Sequence, residues 1–328
     1  MADLSTQYLG LTLKNPIIAG SSGLTNSAKS IKQLEEGGAG AVVLKSIFEE
    51  EIAFEYDDIV KEAEAKGYDL DQFDYYDYKI KEDNLNTYTA LISESKKSVS
   101  IPVIASVNCV YSHEWLAFAS QLEKAGADAL ELNMFFLPSD FERTSEEKEA
   151  AYFQIIDKVQ KAVSIPISLK ISYYFSNLGP MIQKLSETGI GGLVLFNRFF
   201  SPDFDIDKLE VVPSNRLSAP SDLPISLRWI AIMAERVSCD LAASTGVHDG
   251  TAVIKQLLAG ANAVQVVSTL YNNDKGYIQE MLKTLEAWMA KKGFNSLTDF
   301  RGKMSQAKSS NPAAYERMQF MKYFGGKG

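Results

Sequence analysis

One short pattern recurs four times along the chain, and it limits the possible folds more than any other feature of the sequence. Each copy opens with glycine, continues through small residues and ends in an apolar run, at residues 38–44, 126–132, 189–195 and 260–266. Each copy follows a segment of helical periodicity, so the glycine is placed to end a helix and the apolar run to form a buried strand.

A second pattern alternates with the first. It reads Val-Ser-Ile-Pro before an apolar run at residues 99–106 and 163–170, and a looser copy stands at residues 237–244. Together with the apolar segment at residues 15–20, the two patterns predict eight short strands.

Helices are predicted in most gaps between these strands. Apolar stripes mark residues 115–122 and 278–289, and Thr144 with Glu147 forms a capping box for a third helix. Strands that alternate with helices in this way predict an α/β fold, the (β/α)8 TIM barrel. The main alternative is a doubly wound open sheet, which is disfavoured because no G-x-G-x-x-G turn follows the first strand.

An acidic and aromatic segment interrupts the repeat after the second predicted strand. Residues 49–83 hold fourteen acidic residues and four lysines, a net charge of −10, together with seven aromatic residues. Disordered acidic runs lack such aromatics, so we predict an ordered insertion at about residues 48–88, either a lid or a subunit contact. A solvated surface excursion is the alternative. With a C-terminal helical tail at about 293–328, residues 1–328 are expected to form a single domain.

The composition argues against several classes of protein. Of the 328 residues, 46% are hydrophobic, as in soluble globular proteins. Two cysteines are too few for a disulfide framework and suit a cytoplasmic location, and two distant histidines predict no metal site. A net charge of −9 disfavours nucleic acid as a partner, and no apolar run approaches membrane-spanning length.

The predicted strand ends carry the candidate functional residues, because the active site of a (β/α)8 barrel lies at the carboxyl ends of its strands. All eight ends are small or polar, and two of them provide lysines. The end residues are Gly20, Ser21, Lys45, Ser46, Ser106, Asn108, Asn133, Lys170, Asn197, Arg198, Ser244, Thr245, Gly246, Ser268 and Thr269.

Strand parity places a carboxylate inside the predicted barrel. Glu131 and Asn133 share one face of the fourth strand, and Lys170 lies on the inward face of the fifth. Since a buried carboxylate is costly unless it is paired, we expect Glu131 to meet Lys170 or Lys45 in the barrel mouth. For Glu131 we favour a buried ion pair without a chemical role.

The loops after the last two strands are predicted to bind phosphate. Residues 244–248 and 267–269 precede helical segments, which is the usual phosphate site of barrels, and Gly246 permits close backbone approach. A phosphate-bearing cofactor and two lysines allow two chemistries. Lys170 would form a Schiff base, or a lysine would stabilise the negative charge of a reduced flavin. Residue spacing does not separate them.

The ordered set of strand-end motifs resembles the dihydroorotate dehydrogenase family. In chain order the motifs are N-P-I-I-A-G-S, V-L-K-S, I-P-V-I-A-S, L-E-L-N, I-S-L-K, L-F-N, S-T-G-V and L-A-G-A-N-A-V-Q-V. The resemblance covers about residues 8–290 and is closest to a dihydroorotate dehydrogenase-like branch, whose phrase R-G-K-M-S-Q extends it into the tail. It implies an FMN-dependent barrel that oxidises dihydroorotate to orotate in pyrimidine biosynthesis, with hydride transfer to flavin N5.

The resemblance also implies a role for each strand end. Lys45 would approach the N5 side of the flavin, Lys170 its N1 and C2 carbonyl edge, and Asn197 the substrate; with Asn133 these are the implied catalytic residues. The implied cofactor contacts are Gly20, Ser21, Lys45, Ser106, Asn133, Lys170, Asn197, Thr245, Gly246, Ser268 and Thr269.

The chain departs from the family in its substrate-binding half. Aligned on Asn133, the cysteine or serine that takes a proton from dihydroorotate corresponds to Phe136, which follows Phe135. Phenylalanine cannot accept a proton. The family's loop N-x-x-G-L-x-N is also absent, since residues 84–88 read N-L-N-T-Y, and Arg198 stands where a small hydroxyl residue is common.

Oxidation of dihydroorotate is therefore expected to need a substitute base, for which Cys109, Ser139 and a tyrosine of the insertion are candidates. The alternative hypotheses are a flavoprotein of the same fold with another substrate or no turnover, and a Schiff-base lyase that uses Lys170. We expect a small, anionic substrate, a soluble electron acceptor and, by likeness to the family, a homodimer.

Overall fold

The computed structural model describes residues 2–48, 73–108, 115–134, 136–139, 141–199, 201–214 and 216–316. Within these residues the strands are β1 (Thr6–Tyr8), β2 (Leu11–Leu13), β3 (Ile17–Ala19), β4 (Ala41–Val43), β5 (Ile47–Phe48), β6 (Val103–Asn108), β7 (Ala129–Met134), β8 (Ile167–Ile171), β9 (Gly192–Leu195), β10 (Pro202–Asp205), β11 (Glu210–Pro213), β12 (Asp240–Ala243) and β13 (Ala263–Val266).

Eight parallel strands close into a barrel. Their order is β3, β4, β6, β7, β8, β9, β12 and β13, and the pairing of β13 with β3 completes the ring. These are the eight strands predicted from the two sequence patterns and the apolar segment at residues 15–20, so the (β/α)8 TIM barrel is confirmed. The short strand β5 adds to the carboxyl end of β6.

Helices follow the barrel strands and cover them. They are α1 (Ala28–Glu36), α2 (Phe73–Ser98), α3 (Trp115–Lys124), α4 (Ser145–Ala162), α5 (Leu178–Ser186), α6 (Leu223–Met233), α7 (Gly250–Ala259), α8 (Ser268–Asn272), α9 (Tyr277–Lys292) and α10 (Ala313–Glu316). The predicted capping box starts α4, since the Thr144 hydroxyl accepts from the Glu147 amide and the Glu147 carboxylate from the Thr144 amide.

The barrel strands have an apolar core on each side, one between strands and helices and one inside the barrel. Leu130, Leu132 and Leu169 point outward and pack in the large core between strands and helices. Ala129 and Ala242 point inward and belong to a smaller core within the barrel. The predicted strand parity is thus confirmed for β7 and β8.

The N-terminal hairpin, β1 and β2, fills the amino end of the barrel. Tyr8 and Leu9 at its turn are buried in the inner core. The Leu9 amide, in a left-handed conformation (φ 57°), donates to Asp240 Oδ2 over 2.8 Å. Gly192 makes room for this turn, because a Cβ there would lie 2.8 Å from Leu9 Cδ2.

The insertion and the tail differ in how far the structure describes them. Residues 49–72, most of the acidic segment, lie outside the described residues, so its predicted role as a lid or contact stays a prediction. Helix α2 continues to Ser98, past the predicted end of the insertion at residue 88, because Tyr88 and Ile92 are buried in the core.

The tail is helical only in part over residues 294–316, with one 3₁₀ turn (Leu297–Asp299) and α10. Its backbone amides bond to other helices instead. Gly302 N donates to Leu257 O (3.0 Å) near the end of α7, and Gln306 N to Ala231 O (2.8 Å) near the end of α6. These amides add donors to carbonyls in the last turns of the two helices.

Among the described residues, no helix is both long enough and apolar enough to cross a bilayer.

Candidate active site

The parallel barrel strands bring their carboxyl ends to one mouth, and the predicted site residues sit on those ends. Ser106, Asn133 and Lys170 lie within β6, β7 and β8, while the others follow β3, β4, β9, β12 and β13. The strand pairing places Asn133 directly opposite Lys170. Residues distant in sequence therefore share one small region.

A chain of three buried side chains crosses the barrel interior beneath this mouth. Lys170 Nζ donates to Gln265 Oε1 over 2.9 Å, and Gln265 Nε2 donates to Glu131 Oε2 over 2.5 Å. The direct distance from Lys170 Nζ to Glu131 Oε1 is 3.9 Å. Glu131 therefore meets Lys170, one of its two predicted partners, and the Gln265 amide bridges the two side chains.

This chain explains how a carboxylate is tolerated inside the barrel. Glu131 is 1% exposed and Lys170 7% exposed, so each charge depends on the other for compensation. Glu131 Oε1 has no hydrogen-bond partner among the described residues. Sequence reasoning missed Gln265, although it is the one polar residue in the apolar strand β13 and therefore stands out as Glu131 does in β7.

Two asparagine amides meet at the mouth beside Lys170. Asn197 Nδ2 donates to Asn133 Oδ1 over 2.8 Å, and Asn197 Oδ1 accepts from the Arg198 amide over 2.9 Å. The Arg198 side chain turns to neighbouring groups: its Nη1 donates to the Arg216 carbonyl (3.0 Å) and its Nε lies 3.9 Å from Asp222 Oδ2. Arg198 is thus partly engaged within the protein.

Three serine hydroxyls form a second polar chain on the β3, β4 and β6 side. Ser21 Oγ and Ser46 Oγ are 3.1 Å apart, and Ser46 Oγ lies 2.7 Å from Ser106 Oγ. Tyr88 fixes the chain from α2, because its hydroxyl bonds to both the amide and the carbonyl of Ser106. Burial raises the pKa of the Tyr88 phenol above its usual range, so it stays neutral.

A cluster of hydroxyls and one imidazole lies at the ends of β12 and β13. Ser218 Oγ is 3.0 Å from Ser268 Oγ, 3.1 Å from His248 Nε2 and 3.4 Å from the Gly246 amide. Its own amide donates to Ser268 Oγ over 2.9 Å. Donors of this kind suit an anion. His248 lies in the loop at residues 244–248 that was predicted to bind phosphate, although it was not itself named as a site residue. Ser218 was missed, since it comes from a loop without a sequence signal.

Two residues predicted to bind phosphate use their hydroxyls within the protein. Thr245 Oγ1 donates to the Phe196 carbonyl (3.0 Å), and Thr269 Oγ1 donates to the His248 carbonyl (2.9 Å). Thr245 also adopts a left-handed backbone (φ 76°), which is uncommon for a β-branched residue. The two threonine side chains thus hold the loops in shape. The neighbouring Gly246 amide and Ser268 hydroxyl belong to the cluster around Ser218.

Phe136, which follows β7, is held by aromatic packing. The Phe136 ring meets Tyr152 of α4 edge to face, with centroids 5.1 Å apart, and Tyr152 in turn meets Phe175 at 5.3 Å. Phe135 and Cys109, named in the sequence analysis, lie outside the described residues. Ser139, another candidate base, is described and exposed.

No group of three or more histidine, cysteine, aspartate or glutamate side chains comes together to hold a metal in the part of the chain that the structure describes. Cys239 lies near the amino end of β12, away from the mouth, and burial raises the pKa of its thiol to about 12. That thiol is therefore protonated and unreactive at neutral pH.

Comparisons with known proteins agree with this geometry. The family model described as dihydroorotate dehydrogenase matches residues 74–289. Proteins named dihydroorotate dehydrogenase B (NAD(+)), catalytic subunit, are 26% identical in Thermoplasma volcanium, over 92% of this chain and 98% of that protein, and 26% identical in Methanothermobacter thermautotrophicus, over 91% and 97%. The matched residues cover well over half of the chain and include β7, β8 and β13. The chain belongs to the dihydroorotate dehydrogenase family.

Proposed function

We propose that this protein is an FMN-dependent oxidoreductase that acts on the CH–CH bond of a small, dihydroorotate-like acid. One observation carries the proposal: the Lys170 ammonium is held at the barrel mouth beside the Asn133–Asn197 amide pair. A fixed cation and paired amides are suited to a planar ring that gains negative charge.

The residues at the mouth fit FMN in their donor chemistry. Two of the three N–H groups of Lys170 are left over after its bond to Gln265, so they are available for the N1 and C2 carbonyl edge of a flavin. Ser268, Ser218, His248 and the Gly246 amide would hold the phosphate. Lys45, Gly20, Ser21 and Ser106 line the β3, β4 and β6 side of the same mouth, where we place the ring and ribityl chain.

Each protein group has a limited task in this proposal. FMN, when bound, supplies the hydride acceptor. Lys170 stabilises negative charge on the N1 edge, and Asn197, oriented by Asn133 and by the Arg198 amide, holds the substrate. The aromatic packing around Phe136 keeps water away from the β7 side.

A second candidate is oxidation or reduction of a different substrate by the same flavin. The Phe136 ring is packed against Tyr152 at the position where the family resemblance puts the proton acceptor. Loss of a general base costs about two to four orders of magnitude in rate. Dihydroorotate is then a poor substrate unless Ser139 or a residue beyond the described part takes the proton.

Schiff-base chemistry on Lys170 receives less support. A Schiff base needs an amine that a carbonyl carbon can reach, whereas the Lys170 group is buried, donates to an amide oxygen and lies 3.9 Å from a carboxylate. Trapping with borohydride and a carbonyl compound should leave Lys170 unmodified.

The proposal extends to assembly and location. We place the protein in the cytoplasm as a homodimer with a soluble electron acceptor. Gel filtration with light scattering tests the dimer.

The test of function begins with FMN titration, followed by a dihydroorotate assay. We expect saturable quenching of flavin fluorescence and slow oxidation of dihydroorotate, with Phe136→Ser at least 100-fold faster because it restores a hydroxyl at the proton-accepting position. Fast bleaching of the flavin by another saturated acid, with no gain in Phe136→Ser, would favour the second candidate. Absence of FMN binding would remove both.

A further inference from the structure

We propose that Glu131 and Gln265 are positioning residues that hold the Lys170 ammonium at the height of Asn133, with two N–H groups free for the ring above. This inference rests on the proposed function, because it concerns the residue that we place beneath the flavin edge. It assigns to Glu131 a role beyond the simple buried ion pair that its sequence position suggests.

The first step of the argument is the layering of the strands. Asn133 is paired with Lys170, whereas Glu131 is paired with Ser168, one inward-facing layer further from the mouth. A carboxylate in direct contact would draw the ammonium toward that deeper layer. The observed Nζ–Oε1 distance of 3.9 Å is too long for a hydrogen bond, so the ammonium is paired with the carboxylate in charge but is not bonded to it directly.

The second step is the interposed amide. The Gln265 Oε1 accepts a hydrogen bond from Lys170, and its Nε2 donates one to Glu131. All three residues are more than nine-tenths buried. Flipping the amide would set a donor against the ammonium and an acceptor against the carboxylate, so the charges at both ends fix its orientation.

The third step is the packing that keeps Gln265 in place. Gly20 lies directly over it: a Cβ at position 20 would be 3.5 Å from Gln265 Oε1 and 2.8 Å from Val267 Cγ2. The Gly20 amide also donates to the Val266 carbonyl over 3.0 Å. The loop after β3 thus packs against the amide and limits its movement.

The inference is tested first without cofactor, by the rate at which acetic anhydride labels Lys170, measured by peptide mass spectrometry against exposed Lys184. In Gln265→Leu both hydrogen bonds are lost at constant charge. We expect Glu131 then to draw the ammonium toward its own deeper layer, so that Lys170 labels at least 10-fold more slowly in the folded variant. Ser168→Ala, the matched control on the inward face of β8, should stay within twofold of the wild type. Equal labelling in wild type and Gln265→Leu would overturn the inference.

The second measurement is sulfite binding to the FMN-loaded protein. Sulfite forms an S–N5 bond with the flavin, and the displaced electron pair ends at the N1 edge, so its affinity reports a cation held there. We expect Gln265→Leu and Glu131→Gln each to weaken sulfite binding at least 10-fold. If Glu131 acted only through its field, Glu131→Gln would strengthen binding, because a negative charge is removed.

The two measurements separate failure of the inference from failure of the proposed function. A wild type that takes up no FMN would end the functional proposal, while the labelling comparison would still decide whether Gln265 positions Lys170. If Glu131→Gln does not fold, Gln265→Leu alone decides both arms, since it leaves every charge in place.

Discussion

At the scale of single residues, the barrel interior is governed by the compensation of buried charge. Strand parity predicts that Glu131 and Lys170 face inward, because the period of a strand is two residues, and it leaves Lys170 and Lys45 as possible partners of Glu131; the structure selects Lys170. The bridging amide of Gln265 could not be predicted in the same way. Its partners depend on the closing of the barrel between β13 and β3, which local sequence does not specify.

The charge pair makes a prediction about stability. Lys170→Met removes the cation and leaves Glu131 buried without a counter-charge, so we expect a loss of about 3–5 kcal/mol in the free energy of unfolding. The triple variant Lys170→Met/Gln265→Leu/Glu131→Leu should recover most of that loss, because neither a buried charge nor an unpaired buried amide remains. Urea denaturation measures both variants. A triple variant as unstable as the single one would contradict this account.

Thr245 makes a second prediction at this scale. Its left-handed backbone costs about 1–2 kcal/mol for a residue other than glycine, and its hydroxyl bond to the Phe196 carbonyl offsets about 1 kcal/mol. Thr245→Ala should therefore lower stability by about 1 kcal/mol, whereas Thr245→Gly should stay within about 0.5 kcal/mol of the wild type. Thermal unfolding of the two variants checks the order, and a Gly variant less stable than the Ala variant would refute it.

At the scale of elements, the eight barrel strands were predictable because each is a buried parallel strand preceded by a helix end. The N-terminal hairpin was not predicted. Its strands have three residues each, too short for a periodic signal, and its place in the barrel floor follows from the cavity that Gly192 leaves.

The fit of this hairpin gives the third prediction. In Gly192→Ala the new methyl group would lie 2.8 Å from Leu9 Cδ2 and 3.2 Å from Tyr8 Cε2, so we expect a loss of about 1–3 kcal/mol from overpacking. Gly179→Ala, in helix α5, is the matched control. Its new methyl group would lie 3.6 Å from Trp229 of α6, which is an ordinary van der Waals contact. That control should be neutral or slightly stabilising. Equal effects in the two variants, measured in urea, would contradict the packing argument.

The contact between hairpin and barrel also predicts a pH dependence. Burial raises the pKa of Asp240 above its usual value, against the opposing bond from the Leu9 amide. The folded state therefore holds the proton to higher pH than the unfolded chain, so stability from this group is present below pH 4 and is lost as pH rises through the raised pKa. Asp240→Asn has no carboxyl to titrate, so its stability should not fall with pH for this reason.

The wild type should therefore fall in stability relative to Asp240→Asn as pH is raised from about 4 to 7. Paired urea titrations across that range measure the gap between the two proteins. A gap that stays constant, or that changes in favour of the wild type, would show that Asp240 is better compensated than its burial implies.

At the scale of the whole molecule, sequence motifs predicted the family and the mouth at which the site is built. The cluster of hydroxyls and one imidazole around Ser218 was predicted only in part: Gly246, His248 and Ser268 lie in the predicted loops, but Ser218 reaches the same place from a distant loop. The tail was predicted as helical, whereas its amides bond to the ends of α6 and α7. Such contacts between distant segments have no local signature.

The central claim is that a flavin lies across the mouth with the Lys170 ammonium at its N1 edge. The most direct measurement is the two-electron reduction potential of bound FMN in the wild type and in Lys170→Met. Loss of the cation should destabilise the anionic reduced ring, so we predict a potential more negative by about 60 mV, or roughly a hundredfold in equilibrium constant. An unchanged or more positive potential in Lys170→Met, or a wild type that binds no FMN, would contradict the account.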